Sequence, residues 1–105
     1  MEIVWTKLAK ITYIEVLENL KKRWTKKELK NFKDLTNELL EKVKNEQVEH
    51  LVANQNLGVR KGVVHKNVSL FYREDRNNKK IYLITFFNNR MDPKTLKNLL
   101  KQKVI

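Results

Sequence analysis

The chain has 105 residues, 41% of them hydrophobic and 33% charged, so it is long and apolar enough for one folded domain over residues 1–105 but too short for two. Its 23 Lys and Arg against 12 Asp and Glu give a formal net charge of +11, which favours anionic partners such as nucleic acid or an acidic protein. The absence of cysteine excludes disulfides and thiolate–metal sites, and the amino terminus lacks the apolar run of a signal peptide or membrane span, so we expect a cytoplasmic protein without membrane association.

The amino-terminal part predicts a short strand followed by an antiparallel helix hairpin. Residues 1–5 alternate in polarity, and Thr6 suits the start of a helix. The first helix has an apolar stripe that we expect to face the core: Leu8, Ile11, Ile14, Leu17, Leu20 and Trp24. Thr25 and Glu28 form a capping-box pattern that begins the second helix. Its apolar stripe is Leu29, Phe32, Leu35, Leu39, Leu40 and Val43.

The carboxy-terminal part predicts a three-stranded meander and a short helix. After the polar, turn-prone "ANQNLG", β-branched and aromatic residues accumulate in "GVRKGVVH", "VSLFYRED" and "KIYLITFFNN". Lys66 and Asn67 separate the first two strands, and "RNNK" separates the last two, so both connections are hairpins. Asp92 and Pro93 begin a C-terminal helix. We therefore expect an α+β fold in which a helix hairpin packs on one face of a small, mainly antiparallel sheet.

The turn positions also predict which side chains share a face. With Lys66 and Asn67 as the turn, Arg60 lies opposite Arg73, which in turn lies near Tyr82. One face would carry Arg60, Gly62, Val64, Ser69, Phe71, Arg73, Tyr82, Ile84 and Phe86. The other would carry Val59, Val63, Val68, Leu70, Tyr72, Leu83 and Phe87. Because the second face is more continuously apolar, we expect the helices to pack there and the arginine face to stay partly open.

Three arginines and one histidine are the candidates for chemistry. Two like charges directly across a strand pair destabilise each other, so Arg60 beside Arg73 indicates an anion or acidic partner that compensates them. Arg90, at the end of the last strand, could join them near Tyr82, although each arginine alone could also be a solvated surface residue. His65 could act as an acid or base, or simply be solvated at a hairpin tip.

Several common sites find no support in the sequence. There is no Gly-rich phosphate loop, no nucleophile elbow and no pair of catalytic carboxylates, which argues against ordinary hydrolase and kinase chemistry. Neither His50 nor His65 has partners at a spacing typical of metal ligands. We therefore expect no metal and no cofactor, and we expect Trp5 and Trp24 to be core residues.

The segments "VWTKLAKITYIEVLENLKKRW", "GVRKGVV", "SLFYRED" and "IYLITFFNNRMDP", in this order, resemble the RelE/ParE superfamily of bacterial type II toxin–antitoxin toxins, which includes plasmid stabilisation proteins. The resemblance covers nearly the whole chain. It implies the fold described above and a cognate antitoxin, which we expect to be acidic and partly disordered. It also implies one of two targets: RelE-like members cleave mRNA in the ribosomal A site with basic residues and no metal, whereas ParE-like members poison DNA gyrase.

The resemblance also ranks the two targets. Arg60 and Arg90 match basic positions of the ribonuclease site, but Gly62, Ser69 and Leu96 stand where ribonuclease members have basic or proton-handling residues. We therefore favour a ParE-like gyrase poison over a RelE-like endoribonuclease, and whether the chain is an enzyme stays open. A ribonuclease site rebuilt from Arg73 and His65, and a nucleic-acid-binding module that is not a toxin, are the alternatives. The residues we expect to bind the target or antitoxin are Arg60, Arg73, Tyr82 and Arg90.

Overall fold

The computed structural model describes residues 1–46, 52–54, 58–65 and 67–88. Within these residues the chain forms two helices and five strands. In chain order these are β1 (Glu2–Trp5), α1 (Lys7–Lys21), α2 (Lys26–Lys44), β2 (Val52–Asn54), β3 (Val59–His65), β4 (Val68–Asp75) and β5 (Lys80–Asn88). The predicted C-terminal helix and His50 lie outside the described residues.

The five strands form one sheet in the order β1-β5-β4-β3-β2. β1 runs parallel to β5, and every other neighbouring pair is antiparallel. Both helices contact the sheet, α1 against β5 and α2 against β3, so the α+β prediction is confirmed. The sequence does not predict β2, because three residues are too few to show a strand periodicity. The segment "ANQNLG", which we expect to be a turn, contributes its first two residues to this strand.

Both predicted helix starts are confirmed by hydrogen bonds at their caps. The Thr6 hydroxyl accepts from the backbone N–H of Ala9 at 3.1 Å, and the Thr25 hydroxyl accepts from that of Glu28 at 3.2 Å. The Thr25 hydroxyl also lies 3.4 Å from the Glu28 carboxylate. Each cap satisfies an amide that has no partner inside its helix.

The two helices differ in how well their apolar stripes predict burial. In α2 the stripe is correct, with Phe32, Leu39 and Val43 buried. In α1 the stripe is correct at Leu20, which is buried, but wrong at Ile11 and Ile14, which are 44% and 57% exposed. The buried residues of α1 form a row that shares only Leu20 with the predicted stripe: Ala9, Thr12, Val16 and Leu20.

The orientation of α1 follows from two threonines that complete the central strand β5. β1 pairs with β5 only as far as Leu83. Beyond that point the Thr6 hydroxyl donates to the Leu83 carbonyl at 2.6 Å, and the backbone N–H of Phe86 donates to the Thr12 hydroxyl at 3.0 Å. These groups are buried, and buried backbone groups without a partner are costly. The threonines must therefore face the sheet, which turns Ile11 and Ile14 outwards.

A bulge in β3 overturns the predicted pairing of Arg60 with Arg73. His65 pairs with Val68, as the predicted two-residue turn requires, but Val63 pairs with Ser69, so Val64 is an extra residue in β3. The shift places Arg60 opposite Tyr72 and Val59 opposite Arg73. As corrections, Arg60, Gly62 and Val64 lie on the helix face of the sheet, and Val59 and Val63 lie on the other face.

A second bulge reverses the end of β5. Arg73 pairs with Tyr82 as predicted, but Tyr72 pairs with Leu83 and Phe71 with Thr85, which leaves Ile84 as the extra residue. Phe86 therefore packs on the helix side, where its ring lies 5.6 Å from that of Trp5. Phe87 lies on the opposite face, the reverse of the prediction for both phenylalanines.

The sheet is buried at its centre on both faces. The helix side contains the larger core, and Trp5 and Trp24 pack against it as predicted. On the opposite face Val59, Phe71, Ile84 and Phe87 are at most 5% exposed and form a second cluster. The prediction that this face stays partly open is therefore wrong at its centre. Neither helix in the described part of the chain combines the length and apolarity needed to cross a membrane.

We expect Thr12→Val to lower the free energy of unfolding by about 1–3 kcal/mol, because it leaves the buried N–H of Phe86 without an acceptor. The matched control is Thr36→Val. Thr36 is also buried, but its hydroxyl donates to the Phe32 carbonyl of its own helix, and its side-chain partner is Tyr13 of α1 and not a strand group among the described residues. Urea denaturation of both variants measures the difference, and equal losses would contradict the role assigned to Thr12.

Candidate functional site

An open groove lies at the end of the sheet where β3 begins and β4 runs into the β4–β5 turn. Its volume is about 570 Å³. Among the described residues its lining combines three arginines with two carboxylates: Gly58, Arg60, Arg73, Glu74, Asp75, Arg76 and Asn77. Gly58, with a φ of +64°, supplies the left-handed turn that leads into β3.

Arg60 and Arg73 both line this groove, although they lie on opposite faces of the sheet. They reach the same space because the groove lies beyond the strand ends, where side chains from both faces meet. Since they are not directly opposite, the predicted cross-strand repulsion does not arise. No anion is therefore needed to relieve repulsion between Arg60 and Arg73, and an anion would be attracted by the charge of the groove as a whole.

Arg73 is held by an aromatic ring and retains an unused donor. Its guanidinium carbon lies 5.6 Å from the centre of the Tyr82 ring, a cation–π contact across the β4–β5 pair. Its Nε is buried and has no hydrogen-bond partner among the residues that the structure describes. The ring restricts the guanidinium at the groove that Arg73 lines, where its positive charge can attract an anion.

The acidic residues of the groove are engaged by their neighbours. Glu74 lies 3.1 Å from Arg76, which also lies 3.7 Å from Glu46 beyond the end of α2. Asp75 accepts from the Asn78 side chain at 2.8 Å and from its backbone N–H at 3.2 Å. These two bonds lower the pKa of the Asp75 carboxyl. The carboxylates therefore organise the turn and Arg76.

Tyr72 connects the groove with the core on the helix face of the sheet. It is buried, and its burial, reinforced by the negative charge of Glu74 and partly offset by Arg60, raises its pKa to about 12. The opposing influences of Arg60 and Glu74 agree with the register, which places both on the same face as Tyr72.

His65 does not join the arginines. It lies at the other end of β3, five residues from Arg60, or about 16 Å along the strand. Its ring packs against Trp24 with 4.7 Å between ring centres, and its Nδ1 is buried without a hydrogen-bond partner in the described part of the chain. The interpretation of His65 as a solvated hairpin tip is therefore wrong, and Arg73 and His65 are not positioned to act on one phosphate.

Of the residues predicted for binding, Arg60 and Arg73 line the groove and Tyr82 contacts Arg73, whereas Arg90 lies outside the described residues. Leu96 lies outside them as well. Glu74, Asp75 and Arg76 also line the groove but are not among the residues predicted for binding. The dense run of charge in "REDRNN", immediately before a predicted turn, is the signal that could have identified them.

The groove is suited to binding an anion. Guanidinium groups stay protonated at neutral pH, so the arginines can hold negative charge but cannot accept a proton. Within the described ranges, no three His, Cys, Asp or Glu side chains are close enough to hold a metal ion. Arg60, Arg73 and Arg76 therefore give the groove three permanent positive charges that can attract an anion.

The function of the chain has to be inferred from its own residues, because comparison with known families and curated proteins offers no match. No protein-family model matches the chain, and no curated protein matches it significantly.

We expect Tyr72→Phe to flatten the loss of stability at alkaline pH. Because the folded state raises the pKa of Tyr72 from 10.0 to about 12, the folded state binds the phenolic proton more tightly than the unfolded state. The resulting stabilisation is fully present below pH 10 and is lost as the pH rises towards 12. Chemical denaturation of the wild type and the variant at several pH values across this range measures the slope, and identical slopes would contradict the assignment.

Proposed function

We propose that this chain is the toxin of a bacterial type II toxin–antitoxin system of the RelE/ParE superfamily, and that it inhibits growth as a ParE-like poison of DNA gyrase. It is neutralised by a cognate antitoxin. The alternatives are a RelE-like, ribosome-dependent mRNA endoribonuclease and a nucleic-acid-binding module that is not a toxin.

The observation that carries the proposal is the order of elements. A first strand, a helix hairpin and an antiparallel meander follow one another, and the first strand lies parallel to the last strand of the meander, which the short β2 precedes as an additional edge strand. The resemblance implies this order and this packing of the hairpin on one face of the sheet. The net charge of +11 and the arginine groove add support, because a toxin of this kind acts through a basic surface.

The groove favours a toxin that acts by binding. Cleavage of RNA through its 2′-OH needs a group that takes a proton and a group that returns one, and each typically contributes about 10² to 10⁴ in rate. The three arginines of the groove cannot take a proton, and Glu74 is held against Arg76. His65, the other proton-handling candidate, packs against Trp24 at the far end of β3. A gyrase poison has no such requirement, since it needs only a complementary surface.

We expect expression without a partner to arrest bacterial growth, and we expect Arg73→Ala and Arg60→Ala to relieve the arrest. In a gyrase supercoiling reaction each variant should need roughly 10- to 100-fold more protein for the same inhibition, the loss expected for one charge-assisted contact. The matched control is Arg23→Ala, which removes the same charge from an exposed residue next to Trp24, away from the groove, and should stay toxic.

Two assays with the purified protein separate the proposal from its alternatives. Stabilised DNA cleavage by gyrase, with mRNA intact in a translation reaction, is the expected result. Discrete mRNA cuts within A-site codons, with gyrase unaffected, would replace the gyrase proposal with the RelE-like alternative. Absence of toxicity, together with tight binding of nucleic acid, would favour the binding module.

We expect the antitoxin to be an acidic, partly disordered chain that orders on binding. Because the toxin is strongly basic, their affinity should fall as salt is raised, and Arg73→Ala should reduce this dependence on salt while Arg23→Ala should not, if the antitoxin covers the groove. Co-expression with the adjacent open reading frame, followed by titration calorimetry at several ionic strengths, measures both effects. A complex indifferent to salt would argue against electrostatic recognition.

A further inference from the structure

Four exposed residues follow one line along the outer side of α1. Lys7, Ile11, Ile14 and Glu18 are separated by four, three and four positions, which places them on a single stripe of the helix. At 100° per residue this stripe lies opposite the buried row that includes Thr12 and Val16. All four side chains are exposed, and Ile11 and Ile14 are two of the three large apolar residues that stand out as exposed in the described part of the chain.

We propose that this outer stripe of α1 is a docking surface for a second copy of the chain, and that the two α1 helices pack antiparallel about a two-fold axis between Ile11 and Ile14. In this arrangement Ile11 of one copy packs against Ile14 of the other. Lys7 of one copy then lies against Glu18 of the other, because the two-fold axis brings the lysine end of one stripe next to the glutamate end of the other.

The order of charges selects the antiparallel orientation. A parallel pair would place Lys7 against Lys7 and Glu18 against Glu18, and like charges in contact repel each other. The antiparallel pair converts both contacts into ion pairs at the two ends of the stripe. Spacings of four, three and four residues are also those of the seam along which two helices pack side by side.

The interface is small, which determines how it can be observed. From Lys7 to Glu18 the stripe spans about 16 Å and contributes two isoleucines from each copy. Such an interface supports a dissociation constant on the order of 10⁻⁵ to 10⁻³ M. Because each copy carries a net charge of +11, the dimer should be measured at an ionic strength of about 0.15 M, where the long-range repulsion between the two copies is screened.

Sedimentation equilibrium of the full chain over a range of concentrations should show a monomer–dimer equilibrium. Ile14→Ala should weaken it about tenfold or more, since in a two-fold interface one substitution removes two contacts. Val63→Ala is the matched control, because Val63 is 61% exposed but lies on β3, and it should leave the equilibrium unchanged. A monomer at every concentration, or equal effects of the two variants, would overturn the proposal.

Charge reversal tests whether Lys7 of one copy pairs with Glu18 of the other, and not only whether the outer stripe of α1 is an interface. Lys7→Glu and Glu18→Lys should each weaken the dimer several-fold, because each creates two like-charge contacts. The double variant restores both ion pairs with the net charge of the wild type and should recover the wild-type affinity. Circular dichroism and thermal melts establish that the variants are folded. Failure of the double variant to recover the dimer would overturn the predicted register.

Crosslinking tests the orientation independently. Because the chain has no cysteine, introduced thiols are unique reporters. A mixture of the Ile11→Cys and Ile14→Cys variants should form a disulfide faster than either variant alone, since only the mixed pair is opposed in the antiparallel dimer. Faster crosslinking of either variant with itself would indicate a parallel pair and overturn the proposal.

Discussion

The structure depends on the way two threonine hydroxyls complete the central strand. β5 has a strand neighbour on one side over its whole length, but on the β1 side only as far as Leu83. Thr6 and Thr12 supply the missing partners at the Leu83 carbonyl and the Phe86 amide. Because these groups are buried and would be costly to leave without partners, the two hydrogen bonds favour one rotation of α1 about its own axis.

That rotation has consequences on both sides of α1. On the inner side it brings Ala9 and Val16 against the sheet, next to the ring of Phe86, which the bulge at Ile84 turns towards the helices. On the outer side it exposes Ile11 and Ile14. The same pair of hydrogen bonds that closes the core therefore creates the apolar stripe on the outer side of α1.

The arginine groove depends on a different local event, the bulge at Val64 in β3. One extra residue moves Arg60 to the helix face, beside Tyr72, while Arg73 stays on the opposite face over Tyr82. The two guanidinium groups then approach the groove from the two faces of the sheet without lying directly against each other. Their shared space also contains Arg76, whose position is held by Glu74 and Glu46. The groove therefore combines three guanidinium groups with two carboxylates, Glu74 and Asp75, that are engaged by Arg76 and Asn78.

The sequence by itself determined the properties that depend on neighbours along the chain. Capping at Thr6 and Thr25, the turn that pairs His65 with Val68, and the pairing of Arg73 with Tyr82 are local, and each was predictable from residues a few positions apart. The α+β class and the strongly basic character followed equally from pattern and composition.

Only the tertiary structure decided which faces those elements present. α1 has two rows that could face a core, and the choice between them was made by hydrogen bonds from Thr6 and Thr12 to residues more than 70 positions away. The bulges at Val64 and Ile84 leave no local signal, yet each reverses the faces of every residue beyond it. The position of Arg60 relative to Arg73, and with it the shape of the groove, depends on the single-residue shift at Val64, because one extra residue moves the side chains of a strand to the opposite face of the sheet.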